Sequence, residues 1–167
     1  REQLLRPLRT GRVAVGIEAD AVTLLAYQTI GGQLQLQSWQ QAPLPSGVVD
    51  AGVPLLTEAL GDLIGDLLLQ GGIQAPGARA LLPPEAVVLR SLKLPVGRQP
   101  DAEIVPWLMG QEAALALPFP LQEAAMSWQQ RGDHWLLACL PNDQLDRWID
   151  TFAIAGLDLH GLEPSVL

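Results

Sequence analysis

Between Val13 and Ser38 apolar side chains recur at every second position in three short runs, a pattern that fits strands and not helices. Val13, Val15 and Ile17 alternate with Ala14 and Gly16; Val22, Leu24 and Ala26 follow after a brief polar break; Leu34, Leu36 and Ser38 alternate with glutamines behind Gly31-Gly32. Breaks this short leave no room for a crossover, so the three runs form an antiparallel meander. Gln33, Gln35, Gln37, Gln40 and Gln41 face solvent or decorate the third strand, offering amide hydrogen bonds without charge.

The period then changes. Pro43 to Gly52 reads as a loop, and Pro54 opens a helix in which Leu56, Ala59, Leu60, Leu63, Ile64, Leu67 and Leu68 recur at helical spacing until Gly71-Gly72. Gly61 and Gly65 lie on one face of it; each costs about 1 kcal/mol relative to Ala, which close packing against a sheet offsets. Ala78 to Leu82 is a buried strand ending at Pro83-Pro84, and Val87 to Leu94 a second strand closed by Pro95. A helix from Pro100-Asp101 runs to Leu117 and stops at Pro118-Phe119-Pro120. Pro106 either kinks it or marks a later start near Val105. Ala125 to Gln130 and His134 to Leu140 form a hairpin around Gly132-Asp133, Asn142 caps a helix from Gln144 to Ala155, and Leu157 to Leu162 is a last strand.

This order makes an α+β chain in which one lobe is inserted into another. Residues 13–84 with 157–167 form the outer lobe and 85–156 the insertion; residues 1–12, holding four of the nine arginines, form a flexible basic arm or a weak contact to anionic lipid. The 167 residues suffice for a real core, and 49% apolar with 17% charged content excludes intrinsic disorder. A net charge of −8 with scattered cations argues against nucleic acid. No run approaches the ~18 apolar residues of a membrane helix, and no signal peptide shows. A start at Arg1 suggests an excerpt or processed product of a longer protein.

Catalytic motifs are absent: no phosphate loop, dinucleotide fingerprint, nucleophile elbow or zinc pair occurs, and no catalytic residue or metal site is assigned. Cys139 reads as a buried thiol in a reducing compartment, and His134 and His160 as strand-end residues. Asp143, Asp146 and Asp150 share a helix face that is solvated or could build an acid–base pair. Glu18 and Asp20, in the first turn, either hold a metal–phosphate complex or are ordinary turn residues.

Three stretches together resemble PilM-like type IV pilus assembly proteins over nearly the whole chain. They are Leu81-Leu82-Pro83 through Leu94-Pro95; Glu112 followed by Leu117-Pro118-Phe119-Pro120-Leu121-Gln122-Glu123; and Ala155-Gly156-Leu157 leading to Leu162-Glu163-Pro164. The resemblance implies an actin-like α/β lobe, related to that of FtsA, with an inserted strand-helix-strand-strand subdomain. It implies a non-catalytic, cytoplasmic scaffold peripheral to the inner membrane. Such a scaffold binds the N-terminal tail of a PilN-like protein and links it to the pilus motor ATPases; a homo-oligomer stays open. Leu82, Pro83, Pro118, Phe119, Pro120 and Leu121 would frame the peptide groove, with Phe119 as an apolar anchor or as a seal on the lobe's core.

Where ATP-binding members carry Asp-Ile-Gly-Ser-Ser-Ser, this chain has Glu18-Ala19-Asp20-Ala21, shorter and doubly negative. The resemblance therefore implies a degenerate phosphate-loop position and no cofactor, with ATP and Mg²⁺ entering only if a missing second lobe completes the site. Two further readings remain: a cytoplasmic GspL-like type II secretion component, and part of an actin-like ATPase whose other lobe is missing.

Overall fold

The computed structural model describes residues 12–93 and 101–165, with side chains from residue 105 onward in the second stretch. The basic arm up to residue 11 and the expected strand end at Leu94-Pro95 lie outside the described residues. The chain divides into two compact units, one running up to Ala86 and resuming at Asp146, the other spanning Val87–Leu145.

In the first unit β1 (Arg12–Ile17), β2 (Ala21–Ile30) and β3 (Gln33–Pro43) form the expected antiparallel meander. β6 (Gly77–Leu82) adds parallel to β1, and β10 (Asp158–Pro164) parallel to β6, giving the order β10-β6-β1-β2-β3. Register follows the alternation: Val13 pairs with Ala26, Val15 with Leu24 and Ile17 with Val22, all buried. Across β6, Ala78 and Ala80 continue the same face. Helix α1 (Thr57–Gln70) packs on β2 and β3 and contributes Leu60, Ile64, Leu67 and Leu68 to this core.

Several details depart from the sequence reading. Pro54 does not open the helix: it lies in β5 (Val53–Pro54), paired with β4 (Val49–Asp50), and α1 begins three residues later. The Pro54 carbonyl accepts a hydrogen bond from Arg147 Nη1 at 3.0 Å, which a helical start would have turned elsewhere. In β3, pairing jumps from Ala26–Ser38 to Tyr27–Leu36, so Gln37 is a bulge. A single extra residue inverts the alternation. Leu34, Leu36 and Trp39 thereby share one face and Ser38 takes the other. The three are 72%, 63% and 54% exposed, so they are surface residues on an edge strand and not core.

The third departure concerns Gly61. It is covered by helix α4 (Asn142–Ile154) and not by a sheet: a Cβ there would fall 2.6 Å from Ile154 Cβ and 2.8 Å from the Thr151 carbonyl oxygen. That contact explains the fourth. The last helix, expected inside the insertion, belongs from Asp146 onward to the first unit, where Trp148, Thr151 and Phe152 are fully buried. The Thr151 hydroxyl is satisfied within the helix, donating to the Arg147 carbonyl at 2.7 Å. Asn142 is the first helical residue of α4 rather than a residue ahead of it.

The second unit has β7 (Val88–Lys93), β8 (Ala124–Arg131) and β9 (His134–Pro141) in the antiparallel order β7-β9-β8. The expected β8–β9 hairpin turns at Gly132-Asp133. The single long helix is instead α2 (Asp101–Met109) and the one-turn α3 (Glu112–Leu115), broken at Gly110. Pro106 sits inside α2, so it does not mark a later start. Leu108, Leu115, Leu121, Trp135, Leu137 and Cys139 form this unit's own core.

Candidate functional site

Leu115, the last residue of α3, is fully buried and the chain turns sharply after it: Ala116 takes the left-handed conformation, φ 45°, ψ 50°. A residue with a Cβ pays on the order of 1 kcal/mol or more there, so something must hold it. The Ala116 amide donates to the Glu112 carbonyl at 3.2 Å, and Arg90, on β7, adds the rest. Its Nε donates to the Leu115 carbonyl at 2.8 Å and its Nη2 to the Ala116 carbonyl at 3.2 Å, while Nη1 reaches the Leu89 carbonyl at 2.9 Å. All three are charge-assisted, and those to Leu115 and Ala116 fall on carbonyls that a helix end leaves without partners.

Five residues later the chain is tied again. The Leu121 amide donates to Glu112 Oε1 at 3.2 Å, and Leu121 opens a one-turn 3₁₀ helix, Leu121–Glu123, with its side chain in the core. Between the two ties the segment Leu117-Pro118-Phe119-Pro120 arches over the surface. Pro118 and Pro120 are exposed, while Leu117 and Phe119 are half-buried against the core cluster. Pro120 is extended at φ −61°, ψ 136°. The glutamate that precedes the proline pair in sequence thus has a physical role: its carboxylate closes the loop. Arg90 carried no role in the sequence reading. The only signal for it was a cation inside the mostly apolar stretch Val87 to Leu92.

The other expected groove residues differ in kind. Leu82 is fully buried at the end of β6, opposite Pro164, and its carbonyl accepts the Ser165 amide at 2.8 Å. Pro83 is buried too, its carbonyl accepting the Ala86 amide at 2.9 Å. Leu82 and Pro83 belong to the first unit and Pro118 to Leu121 to the second. Leu82 and Leu121 fill cores, so of the six only Pro118, Phe119 and Pro120 offer side-chain surface beside a tied backbone.

Glu18, Ala19 and Asp20 are exposed in the β1–β2 turn. The Glu18 amide donates to the Ala21 carbonyl at 2.9 Å, and the Asp20 carbonyl accepts the Leu44 amide at 2.8 Å. Asp143, Asp146 and Asp150 are exposed along α4. Among the described residues no group of three or more His, Cys, Asp or Glu is placed to hold a metal ion. In the β8–β9 turn His134 Nδ1 lies 2.6 Å from the Asp133 carboxylate, and that hydrogen bond holds the Asp133 carboxyl below its usual range.

Cys139 is fully buried in the second unit; burial pushes its thiol up, against a smaller opposing pull from Arg90. Its reaction with a disulfide reagent at mildly alkaline pH is expected to run at least ~100-fold slower in the folded chain than in urea, because local opening must come first. Equal rates would show the thiol to be accessible.

Comparison with known proteins rests on structure. No family model matches the sequence, and no curated protein matches it. Among solved structures, a chain of a PilM–PilN type IV pilus biogenesis complex superposes with a TM-score of 0.81 at 23% identity, covering 93% of this chain and 48% of that one. The cytoplasmic domain of EpsL, an inner membrane component of the type II secretion system of Vibrio cholerae, gives 0.62 at 14% identity, covering 92% and 57%. The chain therefore spans about half the length of these structures. Its mixed five-stranded sheet with helices is an α+β fold. Within that class the fold is PilM-like.

Proposed function

We propose that the chain is a non-catalytic assembly component that binds the N-terminal tail of a PilN-like inner-membrane protein through the loop Pro118-Phe119-Pro120. The observation that supports this most is the double tie on that loop, by Arg90 at Ala116 and Glu112 at Leu121. Ordering a recognition loop on binding costs free energy; a loop already held, with prolines fixing φ, avoids much of that cost. Phe119, half-buried, has an apolar face shared between core and surface. The likeness to a chain of a PilM–PilN complex supports the choice of partner.

In this reading the chain works on the cytoplasmic side of the inner membrane and passes the contact to pilus motor ATPases. No helix among the described residues is long and apolar enough to cross a membrane. The Glu18-Ala19-Asp20 turn argues against a nucleoside triphosphate, since the Glu18 amide is spent on the Ala21 carbonyl and the turn carries two exposed carboxylates. No catalytic step is assigned to the chain.

A fluorescent peptide from the N-terminal tail of a PilN-like protein of the same source tests the proposal. Saturable binding is expected, weakened roughly tenfold by Phe119→Ala, the ~1.4 kcal/mol of a partly exposed aromatic anchor. Binding unchanged in the variant removes the loop from the site, and no binding removes the partner. The second reading, a type II secretion component, draws support from the EpsL likeness and predicts capture of a secretion ATPase domain in place of the peptide.

A further inference from the structure

The first unit contains a cavity of about 360 Å³ that the proposed peptide loop does not involve. Arg12, Tyr27, Pro76, Gly77, Arg79 and His160 line it. Sheet register explains the gathering. Arg12 pairs with Tyr27 directly across β1–β2, and Arg79 on β6 lies opposite Ala14, two residues along β1 from Arg12. Arg12, Tyr27 and Arg79 therefore project from the same face.

His160 reaches them through an irregularity. Pairing between β10 and β6 jumps from Leu159–Ala78 to Gly161–Arg79, so His160 is an extra residue in a bulge, a device that re-aims a side chain. The ring is thrown over Gly77, where a Cβ would overlap the imidazole. The Asp158 carbonyl oxygen, 2.6 Å from the same Cβ position, also excludes a side chain there, and the space left brings the ring to the cavity wall.

The chemistry of the lining runs against that of the chain. The protein holds eighteen acidic residues and a net charge of −8, yet among the described residues no carboxylate lines this cavity, while two of its ten Lys and Arg residues do. Arg79 makes an ion pair with Glu163 through Nη1. A guanidinium has five N–H donors, so that pair leaves donors for a second acceptor. Arg12 has no ion pair with a described residue. Guanidinium forks match the oxygens of a phosphate in pairs, and the imidazole and phenol add polar contacts. The volume lies within the ~300–1,000 Å³ range of small-molecule sites and exceeds one phosphate group, with Pro76 and the Tyr27 ring as apolar wall.

We infer that this cavity binds a small organic phosphate, its anionic group held by Arg12, Arg79 and His160 and its organic body lying against Tyr27 and Pro76. Nothing in the proposed peptide contact depends on it. The test is an amide chemical-shift titration of the 167-residue chain with phenyl phosphate, inorganic phosphate and benzoate. Phenyl phosphate is expected to saturate shifts at Tyr27, Gly77 to Arg79 and His160, several-fold tighter than either single-feature probe. Arg12→Gln and His160→Gln, both at exposed positions, should each weaken it at least fivefold while leaving the rest of the spectrum in place. The absence of saturable shifts, or shifts unchanged in both variants, overturns the site. Equal binding of inorganic and phenyl phosphate overturns the assignment of an organic ligand.

Discussion

Gly61→Ala is expected to destabilise the first unit by about 2 kcal/mol, although the same change at most exposed helix positions stabilises by about 1 kcal/mol. The new methyl would meet Ile154 Cβ and Cγ2 at 2.6 Å and the Thr151 carbonyl oxygen at 2.8 Å. None of these is the free end of a flexible side chain. The carbonyl is backbone and the Cβ is fixed to it, so α4 itself must retreat. Its retreat loosens Trp148 and Phe152, both fully buried, and overpacking of this kind costs about 1–3 kcal/mol or more. Gly65, one turn later, supplies the internal control. A Cβ there meets only Ala155 Cα at 3.8 Å, ordinary contact, so Gly65→Ala should gain up to ~1 kcal/mol. Urea unfolding midpoints of the two variants should move in opposite directions. Two equal increases would mean that α4 does not approach α1 this closely.

The pair also marks where sequence reasoning stops. Two glycines on one helix face announce a close neighbour, but not which neighbour. The partner is Thr151 and Ile154, ninety residues on, and only their shared burial decides it. Elements set by local periodicity or turn chemistry were legible: the β1–β2–β3 meander, the α1 stop at Gly71-Gly72, and the hairpin at Gly132-Asp133. The bulge at Gln37 was not, because one glutamine among several carries no local signal, and it turns Trp39 onto the face of Leu34 and Leu36. At Pro54 a proline suited to a helix start serves equally well in a two-residue bridge, where its carbonyl binds Arg147. Of the candidate loop, Glu112 and Pro118 to Leu121 were visible as a motif. The hydrogen bond that explains the glutamate, and the role of Arg90, emerge only when β7 and the end of α3 are brought together.

Arg90→Ala is expected to cost the second unit about 3 kcal/mol and to free the Pro118-Phe119-Pro120 loop at its first tie. Hydrogen bonds to charged groups contribute roughly 1.5–3 kcal/mol each and do not add, so one full bond is a conservative measure of three. The loss falls on the carbonyls of Leu89, Leu115 and Ala116, and the left-handed Ala116 then keeps only its amide bond to the Glu112 carbonyl at 3.2 Å. Arg90→Lys separates charge from shape. An ammonium keeps the charge near the end of α3 but cannot present the guanidinium fork that spans Leu115 and Ala116, so it should recover less than half of the loss. Hydrogen exchange gives the local readout: protection of the Leu121 amide, which depends on Glu112 at the other tie, should fall in Arg90→Ala more than protection along β9. A lysine variant as stable as the wild type would reduce Arg90 to a charge near a helix end. Uniform loss of protection across the unit would make it an ordinary core support and leave the loop's rigidity to its prolines.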